Sequence, residues 1–317
     1  MSGMKKRTIN AIISGKIKDW TTSIEDETVR KLVEKNTIVT GGCIASMLLG
    51  EDVNDYDVYF RNRETALAVA NYYVARFKIR NKHGIECAIF VDDTKEDRVR
   101  VIVKSAGIAS EEGTEKPYGY FETTNTETPD AGEYVKSVMS NPGSIQDAYE
   151  DLEEKAQEVE DGPKYRAIFM STNAITLSHR IQIVMRFYGD PDSLHENYDY
   201  AHCTNYWTSW DKQVILRPEA LEALLSKELK YVGSKYPVCS LFRLRKFIKR
   251  GWNITAGQIL KIVMQINSLD LTSPAVLEEQ LVGVDSAYFL EIIRKVKENS
   301  PEKIDSAYLI ELIDRMF

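Results

Sequence analysis

The sequence predicts an α+β protein: a mixed sheet flanked by helices, broken by an acidic insertion and followed by an all-helical C-terminal part. Three observations carry this. Short β-branched runs alternate with helical patterning between residues 37 and 103, β-like patterning resumes at Ala167, and from Pro218 onward the pattern is almost purely helical. The expected division is a first domain over 1–215, with the insertion at about 105–163, and a helical domain over 216–317.

Each element has a local reason. Thr22 or Ser23 is positioned to cap a helix with Glu25, Asp26 and Glu27 in its first turn and Ile24, Val29, Leu32 and Val33 as its apolar stripe. Thr37 to Thr40 reads as a strand, Gly41-Gly42 breaks it, and Cys43 to Leu49 reads as a helix ended by Gly50. A strand over Asp55 to Phe60 and a helix from Glu64 to Phe77 follow. Ile85 to Val91 and Val99 to Val103 read as strands around the polar turn Asp92 to Asp97. Past the insertion, whose charged stretch Ile145 to Val159 has helical character, the strand candidates are Ala167 to Met170, Ala174 to Leu177, Arg180 to Phe187 and Tyr198 to His202. Val284-Asp285-Ser286-Ala287-Tyr288 is echoed at Ile304 to Tyr308, and each Asp-Ser is suited to capping a short helix.

Composition excludes several classes. Apolar residues at 43% and charged residues at 28% describe a globular chain, not a collagen-like, coiled-coil or wholly disordered one. No apolar run approaches the roughly eighteen residues a membrane span needs, and the start of the chain lacks a secretory signal, so a cytoplasmic location is expected. Cys43, Cys87, Cys203 and Cys239 form no C-x-x-C pair, and the four histidines show no metal spacing. Carboxylates are left to carry any chemistry. The net charge of −7 hides an asymmetry: residues 111–161 hold fifteen acidic and three basic side chains, so the remainder is net positive. A mildly basic body is compatible with a nucleotide or nucleic-acid ligand.

The informative segment runs from Thr37 to Phe60. Residues two apart on a strand face the same way, so Asp55 and Asp57 project together about 6.5 to 7 Å apart. Like charges held so close repel, and a divalent cation relieves the repulsion. Oxygen ligands on a strand suit Mg²⁺, with Mn²⁺ as the alternative. Gly41-Gly42, between strand and helix, lets the backbone approach a triphosphate, and the N–H groups of the next turn point at its charge. Ser46, one turn into the helix, offers a hydroxyl.

This arrangement resembles the nucleotidyltransferase superfamily related to DNA polymerase β, whose signature is a Gly-Gly or Gly-Ser pair, a short helix and Asp-x-Asp on the next strand. Here twelve residues separate Gly42 from Asp55. The resemblance implies a polymerase β-like catalytic domain and metal-dependent transfer of a nucleoside monophosphate from an NTP to an acceptor: RNA or tRNA, protein, or a small molecule. It also implies a third metal-binding carboxylate on a later strand beside the pair, with Asp199 the choice and Glu86 and Asp92 the competitors. Enzymes that add CCA to tRNA follow the glycine pair with Val-Arg-Asp, whereas this chain has Cys43-Ile44-Ala45-Ser46. That departure argues against CCA addition. The stretches Tyr198 to Trp207 and Leu244 to Trp252 are also similar to nucleotidyltransferase-like proteins of tailed bacteriophages.

Arg243, Lys246 and Arg250 are spaced to form one stripe on a helix, with Leu244, Phe247 and Ile248 as its packed side. The stripe is suited to a triphosphate or an RNA backbone, and equally to solvent. Tyr206, Trp207 and Trp210 fit either base stacking or a core. Two rival expectations follow: an enzyme with Asp55, Asp57 and Asp199 on the metal and Gly41, Gly42 and Ser46 on the phosphates, or an inactive phage module of the same fold that engages a protein partner through its acidic insertion. A third, a toxin-like or defence-related enzyme, shares the chemistry and differs in acceptor.

Overall fold

The computed structural model describes residues 3–80, 88–96, 98–104, 123–124, 164–170, 173–273, 276 and 279–280. The chain begins with a helix that the patterning of the sequence does not announce. In α1 (Lys6–Ser23), Ile9, Ile13, Ile17 and Trp20 recur on one helical face and are buried. Trp20 Nε1 donates to Tyr73 Oη at 2.8 Å, tying α1 to α4 (Arg63–Arg80). Since α1 runs through Ser23, the hydroxyls of Thr22 and Ser23 donate back to helix carbonyls. The cap of α2 (Glu27–Asn36) is therefore Asp26, whose Oδ1 accepts from the N–H groups of Thr28 and Val29 at 2.8 and 3.0 Å.

The sheet then forms in the anticipated order. β1 (Thr37–Thr40) is buried along its whole length. α3 (Gly42–Leu49) follows and ends at Gly50 in the left-handed conformation. β2 (Tyr56–Phe60) pairs antiparallel with β1, and α4 crosses back. β3 (Ala88–Asp92) and β4 (Arg100–Lys104) form a separate two-stranded hairpin. β6 (Ala167–Met170), β7 (Ala174–Leu177) and β8 (Ile181–Tyr188) extend the main sheet, with β8 parallel to β2. Within the expected insertion, β5 (Thr123–Thr124) pairs with β6 at the sheet's edge. The rest of 105–163, including the charged stretch 145–159, lies outside the described residues, as does the repeat at 284–308.

One strand expectation is corrected. Tyr198 to His202 is not a strand: α5 (Pro191–His195) precedes it, Tyr200 makes an isolated bridge to Tyr231, and Ala201–Cys203 is a 3-10 turn. The strands of this region are β9 (Tyr206–Thr208) and β10 (Gln213–Ile215), which complete the order β10-β9-β1-β2-β8-β7-β6-β5. After Ile215 come α6 (Pro218–Ser226), α7 (Pro237–Lys249) and α8 (Ala256–Asn267). The architecture is thus α+β, a mixed sheet flanked by helices with a helical C-terminal part.

The two faces of the sheet are covered differently. Val39, Val58, Phe60, Ile181 and Ile183 pack with α1 and α4 in the main core. On the other face Ile38, Tyr59 and Leu194 form a small cluster with Tyr198 and Tyr206. A third cluster, including Ala45, Tyr200, Leu224, Leu244 and Trp252, joins α3 to the C-terminal helices. Among the described residues, no helix is long and apolar enough to cross a membrane.

Candidate functional site

The site is built where β1 turns into α3. Gly41 has φ +91°, a conformation that L side chains rarely adopt, and its N–H donates to Cys203 O at 3.1 Å. A Cβ at Gly41 would sit 2.4 Å from Asp57 Oδ2. Only a glycine lets that carboxylate lie against the turn. Gly42 opens α3, and a Cβ there would meet nothing within 4 Å, so the approach to the helix's first N–H groups is open at that point. Ser46 is half-buried one turn further along α3, and its carbonyl accepts from Glu51 N–H at 2.9 Å.

Asp57 lies in a cross-strand row fixed by register: Tyr206 of β9, Thr40 of β1, Asp57 of β2, Gln182 of β8 and Thr176 of β7. Asp55 sits one residue before β2, at the end of a loop held at two points by Arg180. The Arg180 guanidinium donates to Val53 O at 2.8 Å, and its carbonyl accepts from Tyr56 N–H at 2.7 Å. No motif in the sequence marks Arg180 as a site residue. It and His179 both have positive φ, at 61° and 65°, in the tight turn joining β7 to β8.

Burial pushes the Asp57 carboxyl well above its ordinary range, the Asp55 charge adds to this, and Lys246 opposes it. Burial also raises Asp55, against the pull of Lys246 and Arg250. Two carboxylates and two cations from α7 and its C-cap thus bear on one another beside a glycine turn. The stripe expected on this helix forms only in part. Arg243 Nε donates to Asp199 Oδ2 at 2.6 Å. Burial works against the Arg243 charge, and Asp199 more than offsets that, holding Arg243 above the usual arginine range. Leu244 packs as expected, but Ile248 is 51% exposed and so does not belong to the packed side.

Asp199 is where the site departs most from expectation. It lies in the turn before Ala201–Cys203 rather than on a strand, is 9% exposed, and gives its carboxylate to Arg243. Of its competitors, Glu86 is outside the described residues, and Asp92 binds Arg100 and Thr94 in the β3–β4 hairpin, where the Thr94 hydroxyl first and Arg100 among the others lower it to about 2. The strand beside the pair, β8, presents Gln182 in register with Asp57. Among the described residues, no group of three or more His, Cys, Asp or Glu is arranged to hold a metal. Of the aromatic candidates, Trp207 is core at 3% exposure, while Tyr206 and Trp210 carry Arg217 and Arg61 over their rings at 5.4 and 4.9 Å.

A glycine turn thus opens a helix, and the strand that follows, with Asp57 on it and Asp55 just before it, packs beside the first strand in one mixed sheet. The chain belongs to the Gad2 family, described as Gabija anti-defense 2 family protein, whose model matches residues 11–227. No curated protein matches the sequence. Among solved structures it is similar to the Thermotoga maritima CCA-adding enzyme complexed with tRNA, at 12% identity and a TM-score of 0.36, covering 89% of this chain and 53% of that one. It is also similar to the Bacillus stearothermophilus CCA-adding enzyme in complex with CTP, at 10% identity and a TM-score of 0.35, covering 87% of this chain and 51% of that one. The chain therefore spans about half the length of each of these enzymes.

Proposed function

We propose that this protein, of phage origin, counters Gabija defence in the host cytoplasm by means of a nucleotide pocket formed by Gly41, Gly42, Asp55, Asp57, Lys246 and Arg250. The observation that supports this reading is the close approach of the Asp57 carboxylate to Gly41, which brings the glycine turn and an aspartate side by side. The donor set fits a divalent cation: two desolvated carboxylates that repel each other gain from a shared positive charge. Asp55 and Asp57 would hold Mg²⁺ or Mn²⁺, which when bound offsets the charge of the phosphates and of the departing pyrophosphate. Lys246 and Arg250 hold the β and γ phosphates by charge, and the backbone N–H groups at the start of α3 add partial positive charge. Ser46 lies one turn beyond those groups on α3. Arg243 and Asp199 act on one another and set the position of α7.

On this reading an acceptor hydroxyl oxygen bonds to the α-phosphorus as the bond to the bridging oxygen breaks. Pyrophosphate leaves, and the hydroxyl proton passes to solvent. The acceptor is a component of the Gabija system or an RNA that the system depends on.

A second reading, favoured by Gln182 in register with Asp57 and by the Asp199–Arg243 pair, is a module of this fold that engages a Gabija component without transferring anything. The family description agrees with it directly, since it names an opposed defence rather than a reaction. One experiment separates the two. Cells carrying Gabija are challenged with phage while expressing the native chain or an Asp55→Ala/Asp57→Ala variant, and purified Gabija components and host RNA are incubated with α-labelled NTPs. Transfer of label, with loss of both label and counter-defence in the variant, supports transfer. Counter-defence that persists in the variant with no label transferred supports the binding module.

A further inference from the structure

Asp57 is flanked on both sides of its strand. On the β1 side its Oδ2 lies so near Gly41 that a Cβ there would come within 2.4 Å of it. On the β8 side its partner in the parallel register is Gln182. Partners in register on adjacent strands lie about 4.8 Å apart and present their side chains to the same face of the sheet. Tyr56 N–H donates to Arg180 O at 2.7 Å, which brings Asp55 beside the start of the same strand. Gln182 is half-buried, and among the described residues its carboxamide makes no hydrogen bond. A neutral amide oxygen is thus left uncommitted beside two carboxylates.

Charge decides what that oxygen can do. Asp199 is taken up by Arg243, whose Nε donates to it at 2.6 Å. Asp55 and Asp57 remain, and one divalent cation balances both of their charges. Paired metal ions sit only about 3.5 to 4 Å apart, so a second cation would face the first with no further carboxylate to offset the repulsion. An amide oxygen fills a coordination position on a hard cation without adding charge.

We infer that Gln182 is the third, neutral ligand of the nucleotide pocket proposed above and restricts it to one divalent cation per chain; the inference rests on that pocket. Such a site holds the phosphates of a nucleotide but lacks a second ion at the attacking hydroxyl, which favours retention of the nucleotide over transfer from it.

The test counts Mn²⁺ on the full chain without nucleotide, following the free ion by its paramagnetic resonance signal. Ions at the pocket are those lost in Asp55→Ala/Asp57→Ala, so weak binding to the many other carboxylates is subtracted. The expected count is one in the native chain, with affinity weakened several-fold in Gln182→Ala. Gln182→Glu, which adds a third negative charge, should raise the count to two. If that variant does not fold, the native count and Gln182→Ala decide the matter. A native count of two, unchanged affinity in Gln182→Ala, or a count of one in folded Gln182→Glu overturns the inference and leaves the pocket standing. A native chain that loses no Mn²⁺ on Asp55→Ala/Asp57→Ala removes the pocket itself, and this inference with it.

Discussion

The two halves of the proposed pocket come from the chain by different routes. The acidic half comes from one contiguous stretch, Thr37 to Phe60, in which strand, glycine turn, helix and strand pack against their sequence neighbours. The cationic half comes from α7, nearly two hundred residues later, and depends on pairs such as Asp199–Arg243 that no local pattern specifies. The acidic half is held by backbone geometry and the cationic half by side-chain charge. Substitutions in the two should therefore fail in different ways.

The largest effect is expected within the acidic half, as a contrast between adjacent glycines. Gly41→Ala forces a Cβ into Asp57 at a positive φ and should cost about 2–4 kcal/mol in urea denaturation. Gly42→Ala enters open space at a helix start and should fall within about 0.5 kcal/mol of the native chain. Equal losses would show that Gly41 is not pressed against Asp57.

In the cationic half, Arg243→Ala leaves Asp199 charged and mostly buried, at a cost of about 1–3 kcal/mol; Asp199→Asn in the same chain should recover part of it. A double variant with simply additive losses would show that the pair does not place α7.

Histidines near both halves give a pH signature. Burial lowers His195, which shares a 2.8 Å hydrogen bond with Thr40 beside Gly41, to about 4, and lowers His202, packed on Trp252, to about 4. Their folded pKa values lie below the ordinary 6.5, so the unfolded chain takes up more protons in between. Stability should fall as pH drops from about 6.5 to about 4, by on the order of 3 kcal/mol for each histidine. His202→Phe should flatten the slope of stability against pH over that window, and an unchanged slope would remove His202 from the explanation.

Among the substitutions that remove a side-chain interaction, the smallest expected effect on stability is at Arg180. Arg180→Ala loses one hydrogen bond to Val53 O, worth about 1 kcal/mol. Because that bond holds the loop carrying Asp55, Mn²⁺ titrated into the variant should bind several-fold more weakly, whereas Arg180→Lys should recover part of the affinity. Unaltered binding in Arg180→Ala would show that the loop is positioned by other means.

The same division explains what is legible in the sequence. The elements from Thr37 to Phe60 form within a residue or two of their expected bounds, because period-two patterning and a glycine break are local signals. The α1 helix carries an apolar stripe at Ile9, Ile13, Ile17 and Trp20, but lysines and Gly15 between its members obscure it unless the period is counted. β9 and β10 are three residues each, too short for alternation to show. Asp199 passes for a strand acid because Tyr198 to His202 has a β-like composition. Its aromatic residues instead serve packing, with Tyr200 and His202 against Phe247. Arg180 and Gln182 depend on strand register and on partners far along the chain, which no spacing encodes.

The central claim is that Asp55 and Asp57 face Lys246 and Arg250 across one pocket that takes a metal-bound nucleotide. Calorimetric titration of ATP, GTP, CTP and UTP with Mg²⁺ tests it most directly. Saturable binding of at least one nucleotide to the native chain is predicted, abolished by Asp55→Ala/Asp57→Ala and weakened by Lys246→Ala/Arg250→Ala. Binding of every nucleotide left unchanged by both double variants would contradict it.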